Sequence, residues 1–357
     1  MSLLSMQHGY HGYHGYHGYH GYHGYHGYHG YGQGADGGLT GLQSSTAALV
    51  HAAGLAPLLA AGIANLAPNA AGNMARWAPD IRGNLLQASF APRMVTLCDA
   101  GTNAVSITFD GTQIWQIARP SNATLAVQAG LVRTYIDQRG DRGAEVLAQT
   151  GDFSAFFGII MGLSAARNPK TYELVAHVMT MAGQMAMLPK HMMACRRPDE
   201  IDTRIMTLIP TPGHGAFPSG HATQAFAMAT VLAALIRSVP GHYPDLEKRV
   251  DLLFRQAHRI AANRTVAGVH FPMDSMAGAR LGMQLGRAMV GMLAGNLSPI
   301  APASLDPNTD PGKDFLYADL QPLLPPANGG SAMSRDPLFG WFWEQARAEF
   351  TFAAPGA

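Results

Sequence analysis

The chain has 357 residues, with 24 lysines and arginines against 23 aspartates and glutamates and a formal net charge of +1. Because these basic residues are scattered rather than clustered, composition argues against a nucleic-acid-binding protein. The two cysteines, Cys98 and Cys195, form no Cys-x-x-Cys pair, so no zinc site or disulfide framework is predicted. One disulfide is left open, but we expect two buried thiols.

The N-terminal part of the chain differs in composition from the rest. Residues 8–31 are eight His-Gly-Tyr repeats that hold half of the 16 histidines. Such a tract has no hydrophobic period, so we predict that residues 1–34 are a disordered tail, either natural or an expression tag. Residues 35–80 are rich in Ala and Gly and predict a linker with a short helix, because Ala47–Ala71 is too rich in alanine and proline for a membrane span. Residues 81–357 are predicted to form a single domain.

The remaining sequence predicts mainly helices. Val95–Trp115 is rich in Val, Ile, Thr and Phe and contains Asp110-Gly111, which favours a short hairpin. Thr124–Gln149 has a helical pattern with a break at Gly140. Further helices are predicted over Phe153–Ala166, Thr171–Cys195, His221–Arg237, Leu246–Ala262, Phe271–Leu293 and Asp336–Phe350. We therefore expect an all-α fold, a helical bundle with long active-site loops.

The helices are not predicted to cross a membrane. Arg280 and Arg287 interrupt the last long helix, and Arg237 ends the helix after His221 before it reaches the roughly 20 apolar residues that a span needs. We expect a soluble protein rather than an integral membrane protein. No clear signal peptide is present, so a cytoplasmic location is the default, with a secreted or periplasmic location left open.

Three short motifs point to chemistry on a tetrahedral oxyanion. They are Lys190-x6-Arg197-Pro, then Pro-Ser219-Gly220-His221, then Arg264-x5-His270-x3-Asp274. Arg197 and Arg264 offer bidentate contacts to anionic oxygens, and Lys190 adds a point charge. Arg196–Pro218, with four prolines, is predicted as a functional loop between the first two motifs.

The second and third motifs add proton chemistry. Ser219 and Gly220 precede a helix, so unsatisfied backbone N–H groups and the helix dipole favour an anion there. His270 and Asp274 are four residues apart on one helical face, so the carboxylate can accept the Nδ1 proton and leave Nε2 free as nucleophile or ligand. His221 is free to act as general acid or base. Each motif alone is more often structural, but all three occur in order with their spacings intact.

This set resembles the signature of the phosphatidic acid phosphatase type 2 / vanadium-dependent haloperoxidase superfamily, with a motif core from about residue 171 to residue 286. Asn263 departs from the serine that many members carry before the arginine. The resemblance implies that His270 is a phosphorylated nucleophile or the vanadium ligand, with Asp274 orienting it and His221 as acid/base. It also implies that five residues cradle the oxyanion: Lys190, Arg197, Ser219, Gly220 and Arg264.

Within the superfamily, three features look like vanadium bromoperoxidases. They are Pro218–Gln224 with Ala227–Leu235, then Ala267–Phe271, and then His214, which lies seven residues before His221. The resemblance therefore implies a haloperoxidase that binds vanadate and oxidises bromide or iodide with hydrogen peroxide to hypohalous acid. The alternative is an acid phosphatase that binds phosphate and hydrolyses phosphomonoesters through phosphorylated His270. His214 could also be an ordinary loop residue between Gly213 and Gly215. Intact motif positions argue against a silent anion-binding protein, and the Met-rich helices allow a homodimer or larger homo-oligomer.

Overall fold

The computed structural model describes residues 65–297, 303–326, 331–332 and 334–350. The His-Gly-Tyr tail over 1–34, and most of the linker predicted over 35–80, lie outside the described residues. Where the linker is described, Ala71–Arg76 forms a short 3-10 helix. The single domain predicted over 81–357 stays a prediction.

The described residues are mostly helical, as predicted, and contain a four-stranded and a two-stranded sheet. The helices are α1 (Pro79–Phe90), α2 (Asn122–Thr134), α3 (Arg139–Ala148), α4 (Ser154–Met161), α5 (Pro169–Met193), α6 (Pro198–Ile201), α7 (Gly220–Arg237), α8 (Leu246–Val266), α9 (Pro272–Ala294), α10 (Tyr317–Leu320) and α11 (Pro337–Ala348). The strands are β1 (Met94–Asp99), β2 (Ala104–Phe109), β3 (Thr112–Ala118), β4 (Asn296–Leu297), β5 (Ala303–Leu305) and β6 (Ser331–Ala332).

Helix α7 is the centre of the bundle, with α5, α8 and α9 packed around it. Thirteen of its 18 residues are buried, and they are mainly alanine and larger aliphatic side chains. Helix α9 approaches α7 closely because Gly278, Gly282 and Gly286 form one stripe along it. A Cβ atom at Gly286 would lie 2.6 Å from Cβ of Thr230, so this stripe leaves no space for a side chain. The close pairing fixes the starts of α7 and α9, where two of the three motifs lie.

The predicted hairpin is confirmed and extended. Strands β1, β2 and β3 pair antiparallel, and Asp110 and Gly111 form the two-residue turn between β2 and β3 with φ values of 48° and 78°. Strand β5 then pairs parallel with β3, so the sheet order is β1-β2-β3-β5. The prediction that both thiols are buried is wrong for Cys98, which lies on the edge strand β1 and is exposed; Cys195 is buried, and both cysteines are free.

Two predicted helix boundaries are wrong. The break expected at Gly140 lies at residues 135–138, where Ile136–Gln138 forms a 3-10 turn and the Tyr135 hydroxyl donates a hydrogen bond to Asp314 Oδ1 at 2.6 Å. The helix expected over Phe153–Ala166 ends at Met161, because Gly162 adopts a left-handed conformation with φ 65° and caps it. Among the described residues, no helix is long and apolar enough to cross a membrane.

Candidate active site

The three motifs converge at one end of the bundle, around the starts of α7 and α9. Lys190 lies in the last turn of α5, Arg197 precedes α6, and Arg264 lies in the last turn of α8. All three side chains are at most 2% exposed. Ser219 caps α7, Gly220 begins it, and a Cβ atom at Gly220 would lie 3.8 Å from Cε of Lys190. Buried cations therefore face a helix N-terminus, a combination that favours an anion.

The hydrogen bonds of His270 define its neutral tautomer. Nε2 lies 3.0 Å from NH1 of Arg197, and Nδ1 lies 2.9 Å from Oδ2 of Asp274. Because a guanidinium can only donate, Nε2 must be the acceptor, and the ring proton resides on Nδ1 and is donated to the carboxylate. Burial, followed by the charges of Arg197 and Lys190, holds the pKa of His270 well below its usual range. His270 thus presents an Nε2 lone pair to the cationic side of the site.

Asp274 is fixed by backbone contacts as well as by His270. Its Oδ2 accepts a hydrogen bond from the Phe271 N–H at 3.0 Å, and its main-chain carbonyl accepts one from the Ser219 N–H at 2.9 Å. The second bond ties the first turn of α9 to the start of α7. Burial raises the pKa of Asp274 to about 7, against the opposing effects of the Phe271 N–H, Lys190 and Arg197.

Lys190 and Arg197 both bind the loop that leads into α7. Lys190 Nζ donates to the carbonyls of Gly215 and Ala216, each at 3.0 Å, which leaves one of its three N–H groups for another acceptor. Arg197 donates to the carbonyls of His214 and Val269 at 3.0 and 2.7 Å. Burial lowers the pKa of Arg197 to about 10 and that of Lys190 well below its usual range. The two cations therefore shape the loop as well as the electrostatics of the site.

Arg264 has unused donors in the interior. Its NH2 donates to the Val146 carbonyl at 2.9 Å, but Nε and NH1 are buried and have no hydrogen-bond partner among the described residues. Burial lowers its pKa to about 10, so the guanidinium is still charged at neutral pH. Buried donors are normally satisfied, and orphaned ones in a native site call for an explanation. These two donors are available to an acceptor that enters the site.

His221 is held from two sides. Its Nε2 lies 2.9 Å from the Gln149 carbonyl, and its ring stacks on Phe153 with the centroids 5.5 Å apart. A carbonyl can only accept, so Nε2 carries the proton of the neutral ring and Nδ1 is the position that can gain or release another proton. Burial, followed by the charge of Arg264, lowers the pKa of His221 to about 3.

His214 contacts Arg197. Its Nδ1 lies 3.1 Å from NH2 of Arg197 and 3.1 Å from the Gly215 carbonyl. Although the residue as a whole is exposed, burial of its ring beside Lys190 and Arg197 lowers its pKa to about 4. His214 is therefore a neutral neighbour of Arg197.

Known proteins resemble the part of the chain that holds these motifs. Residues 173–297 match the PAP2 superfamily. The chain contains a PAP2 superfamily domain. The crystal structure of the first transmembrane PAP2 type phosphatidylglycerolphosphate phosphatase from Bacillus subtilis is similar at 20% identity and a TM-score of 0.38, covering 46% of this chain and 84% of that one. No curated protein matches the chain with significance. The finer resemblance to vanadium bromoperoxidases stays a prediction.

All the residues proposed from sequence lie inside the PAP2 domain, whereas the two residues that hold His221 do not. Gln149 and Phe153, which hold His221, precede it. Sequence reasoning missed both, because a main-chain carbonyl and a stacking ring leave no motif. Asn263, noted only as a departure from serine, donates from Nδ2 to the Gln149 side chain at 2.7 Å.

Proposed function

We propose that this protein is a phosphohydrolase that cleaves phosphomonoesters through a phosphohistidine at His270. The observation that carries the proposal is the neutral His270, whose Nδ1–H is held by Asp274 while Nε2 faces a buried cluster of cations. A nucleophile of this kind needs a lone pair, a fixed ring and nearby charge to neutralise the phosphoryl oxygens. The PAP2 domain supports the same reaction class.

Substrate binding would use the donors that the protein leaves unsatisfied. Nε and NH1 of Arg264 are two such donors, and the third N–H of Lys190 is another. The backbone N–H group of Gly220 adds the positive end of the α7 dipole, whereas that of Ser219 already donates to the Asp274 carbonyl. Together these groups would hold the non-bridging oxygens and orient phosphorus toward His270, which is the main contribution a protein makes to phosphoryl transfer.

In the first step, Nε2 of His270 attacks phosphorus, so the P–N bond forms and the P–O bond to the ester oxygen breaks. Protonated His221 donates its Nδ1 proton to the departing oxygen, which leaves as an alcohol. Asp274 accepts the Nδ1–H of His270 throughout and stabilises the positive charge that develops on its ring.

In the second step, His221 removes a proton from water, and the resulting hydroxide attacks phosphorus. The P–N bond breaks, inorganic phosphate forms, and His270 regains its Nε2 lone pair. His221 ends this step protonated, ready for the next substrate.

The bound dianion explains how His221 becomes protonated at all. In the ligand-free protein its pKa is about 3, lowered by burial and then by Arg264, Lys190 and Arg197. A phosphoryl dianion between these cations offsets their effect and favours the charged form of the imidazole, so its pKa rises on binding. His221 therefore takes up the proton that the leaving group needs when the substrate binds.

A vanadate-dependent haloperoxidase is the second candidate, favoured by one observation. His214, one of the features that resemble vanadium bromoperoxidases, contacts Arg197 directly. The unpartnered Arg264 donors fit tetrahedral vanadate as well as phosphate, so Lys190, Arg197, Ser219, Gly220 and Arg264 would hold its oxygens and His270 would ligate the metal. Bound vanadate would activate hydrogen peroxide for the oxidation of bromide or iodide.

One pair of assays separates the candidates. Protein freed of phosphate and vanadate is tested in parallel for p-nitrophenyl phosphate hydrolysis and for bromide oxidation by hydrogen peroxide, each with and without added vanadate. We expect hydrolysis that vanadate and phosphate inhibit, with an acid-labile phosphoprotein that is absent from His270→Ala. His191→Ala, at an exposed histidine beside Lys190, is the matched control. Vanadate-dependent bromide oxidation without hydrolysis would instead support the second candidate. The absence of both activities would overturn both candidates.

A further inference from the structure

The last turn of α3 contacts the site from outside the PAP2 domain. Helix α3 ends at Ala148 with Gln149 as its cap, and the last four carbonyls of a helix have no partner within it. Two of the carbonyls at this end bind residues of the proposed site. Val146 accepts a hydrogen bond from NH2 of Arg264 at 2.9 Å, and Gln149 accepts one from Nε2 of His221 at 2.9 Å.

The side chain of Gln149 contacts Arg264 as well, together with Asn263 and Glu145. It is fully buried, and its Oε1 accepts from Nδ2 of Asn263 at 2.7 Å and from NH2 of Arg264 at 3.5 Å. Its Nε2 donates to Oε1 of Glu145 at 2.9 Å. Because both neighbours of Oε1 are donors and the neighbour of Nε2 is a carboxylate, only one orientation of the amide satisfies all partners.

We propose that Gln149 is a positioning residue, which aims Nδ1 of His221 and the free N–H groups of Arg264 at one bound phosphoryl group. The proposal rests on the function proposed above. The main-chain carbonyl of Gln149 determines which nitrogen of His221 carries the proton. The Gln149 side chain holds that carbonyl in place through its hydrogen bonds with Glu145 and Asn263. The negative end of the α3 dipole also favours the two cations that the reaction uses, Arg264 and protonated His221.

Two substitutions separate positioning from packing. Gln149→Ala removes the bonds that hold the carbonyl, so His221 should lose its preference for the Nε2–H tautomer and inorganic phosphate should bind about 10–100-fold more weakly, as for other losses of supporting residues. Gln149→Glu keeps the acceptor for Asn263 and Arg264, and its second oxygen lies beside the Glu145 carboxylate, so it should hold a proton and donate it to Glu145 as the amide does. It should therefore keep the tautomer and the phosphate affinity of the wild type.

The measurements are made on the full chain. Ring ¹⁵N shifts of labelled histidine report the tautomer and titration of His221, whose signal is assigned by its loss in His221→Gln. Calorimetry gives the dissociation constant of inorganic phosphate, and kcat and KM are measured across pH. The charged and titratable groups that face His221 are Arg264, Lys190, Arg197 and His270, and they are unchanged in every variant. Gln138→Ala, at an exposed glutamine bonded to Arg142, is the matched control.

The outcomes are distinct. A loss of the Nε2–H signature in Gln149→Ala, with its retention in Gln149→Glu, supports the proposal. An unchanged tautomer and unchanged phosphate affinity in Gln149→Ala would overturn it. If Gln149→Ala does not fold, Gln149→Met, which keeps the volume and removes both bonds, is measured instead, and an unchanged tautomer and phosphate affinity in it would overturn the proposal equally. Absence of hydrolysis in the wild type counts against the proposed function alone, since the tautomer is read without turnover.

Discussion

Replacing Arg264 by methionine should stabilise the ligand-free protein and abolish its response to phosphate. Arg264 is 1% exposed, and its Nε and NH1 donors are buried with no partner among the described residues. Methionine has a similar length and no donor to satisfy, so it fits the space without burying a charge. The same guanidinium that would bind the anion thus costs stability while no anion is bound.

The two effects have opposite signs and different sizes. A buried unsatisfied donor costs about 1–3 kcal/mol, so removing two of them and stranding the Val146 carbonyl gives a net gain of about 1–3 kcal/mol. A hydrogen bond to a charged group contributes about 1.5–3 kcal/mol, so losing two contacts to phosphate costs about 3–6 kcal/mol of binding. At about 1.4 kcal/mol per factor of ten, the phosphate dissociation constant should rise about 10²- to 10⁴-fold.

Urea unfolding in buffers with and without phosphate measures both effects, because a ligand that binds only the folded state stabilises it by RT ln(1 + [L]/Kd). Arg255→Met is the matched control, because Arg255 lies on the same helix in an exposed ion pair with Asp251 and its replacement should leave the stability nearly unchanged. It should keep the wild-type response to phosphate. An Arg264→Met variant that is less stable than wild type without phosphate, yet still gains stability from it, would refute the reasoning.

Four further outcomes are expected. His270→Ala should abolish both the phosphoprotein and tight vanadate binding, seen by radiolabel trapping and calorimetry; retained affinity would remove its assigned role. Because burial holds His221 and His270 neutral, the native state binds fewer protons than the unfolded chain, so stability should fall as pH drops below about 6.5; urea unfolding at about pH 7 and pH 5.5 checks this. His214→Ala should lower bromide oxidation more than hydrolysis, with any effect of its own titration confined below about pH 5, because its pKa is about 4. Gly282→Ala should destabilise by about 1–3 kcal/mol through its contact with the Thr223 carbonyl, whereas Gly130→Ala, where no atom lies within 4 Å, should not; urea midpoints compare them.

Sequence reasoning located the long helices where hydrophobic periods and explicit caps coincide. The start of α7 was predictable from Ser219, whose hydroxyl accepts from the Ala222 N–H, and the β2–β3 turn from Asp110-Gly111. Helix α1 has polar residues and Gly83 spread among its apolar ones, so no period marked it. Strand β5 pairs with a strand about 190 residues earlier and is three residues long, which no local pattern reveals.

The same limit applies to the site. Lys190, Arg197 and His270 could be predicted to meet because each carries side-chain chemistry at a recognisable spacing. The contributions of Val146 and Gln149 are main-chain carbonyls, which every residue has, and they matter only because α3 ends where it does. A sequence motif cannot identify a residue whose role depends on where a helix ends.

Charge balance explains why so much of this site is buried without a ligand. Lys190, Arg197 and Arg264 are at most 2% exposed, and Asp274 is the buried carboxylate that faces them. Burying a charge without a partner costs several kcal/mol. We therefore expect the three buried cations to be compensated by a bound anion when the protein functions. A tetrahedral dianion supplies two negative charges and several acceptors at once, whether it is phosphate or vanadate. In the proposed function, the cations would therefore determine the class of ligand. The reaction would depend on the groups that move protons, His221 with its support from α3 and His214 beside Arg197.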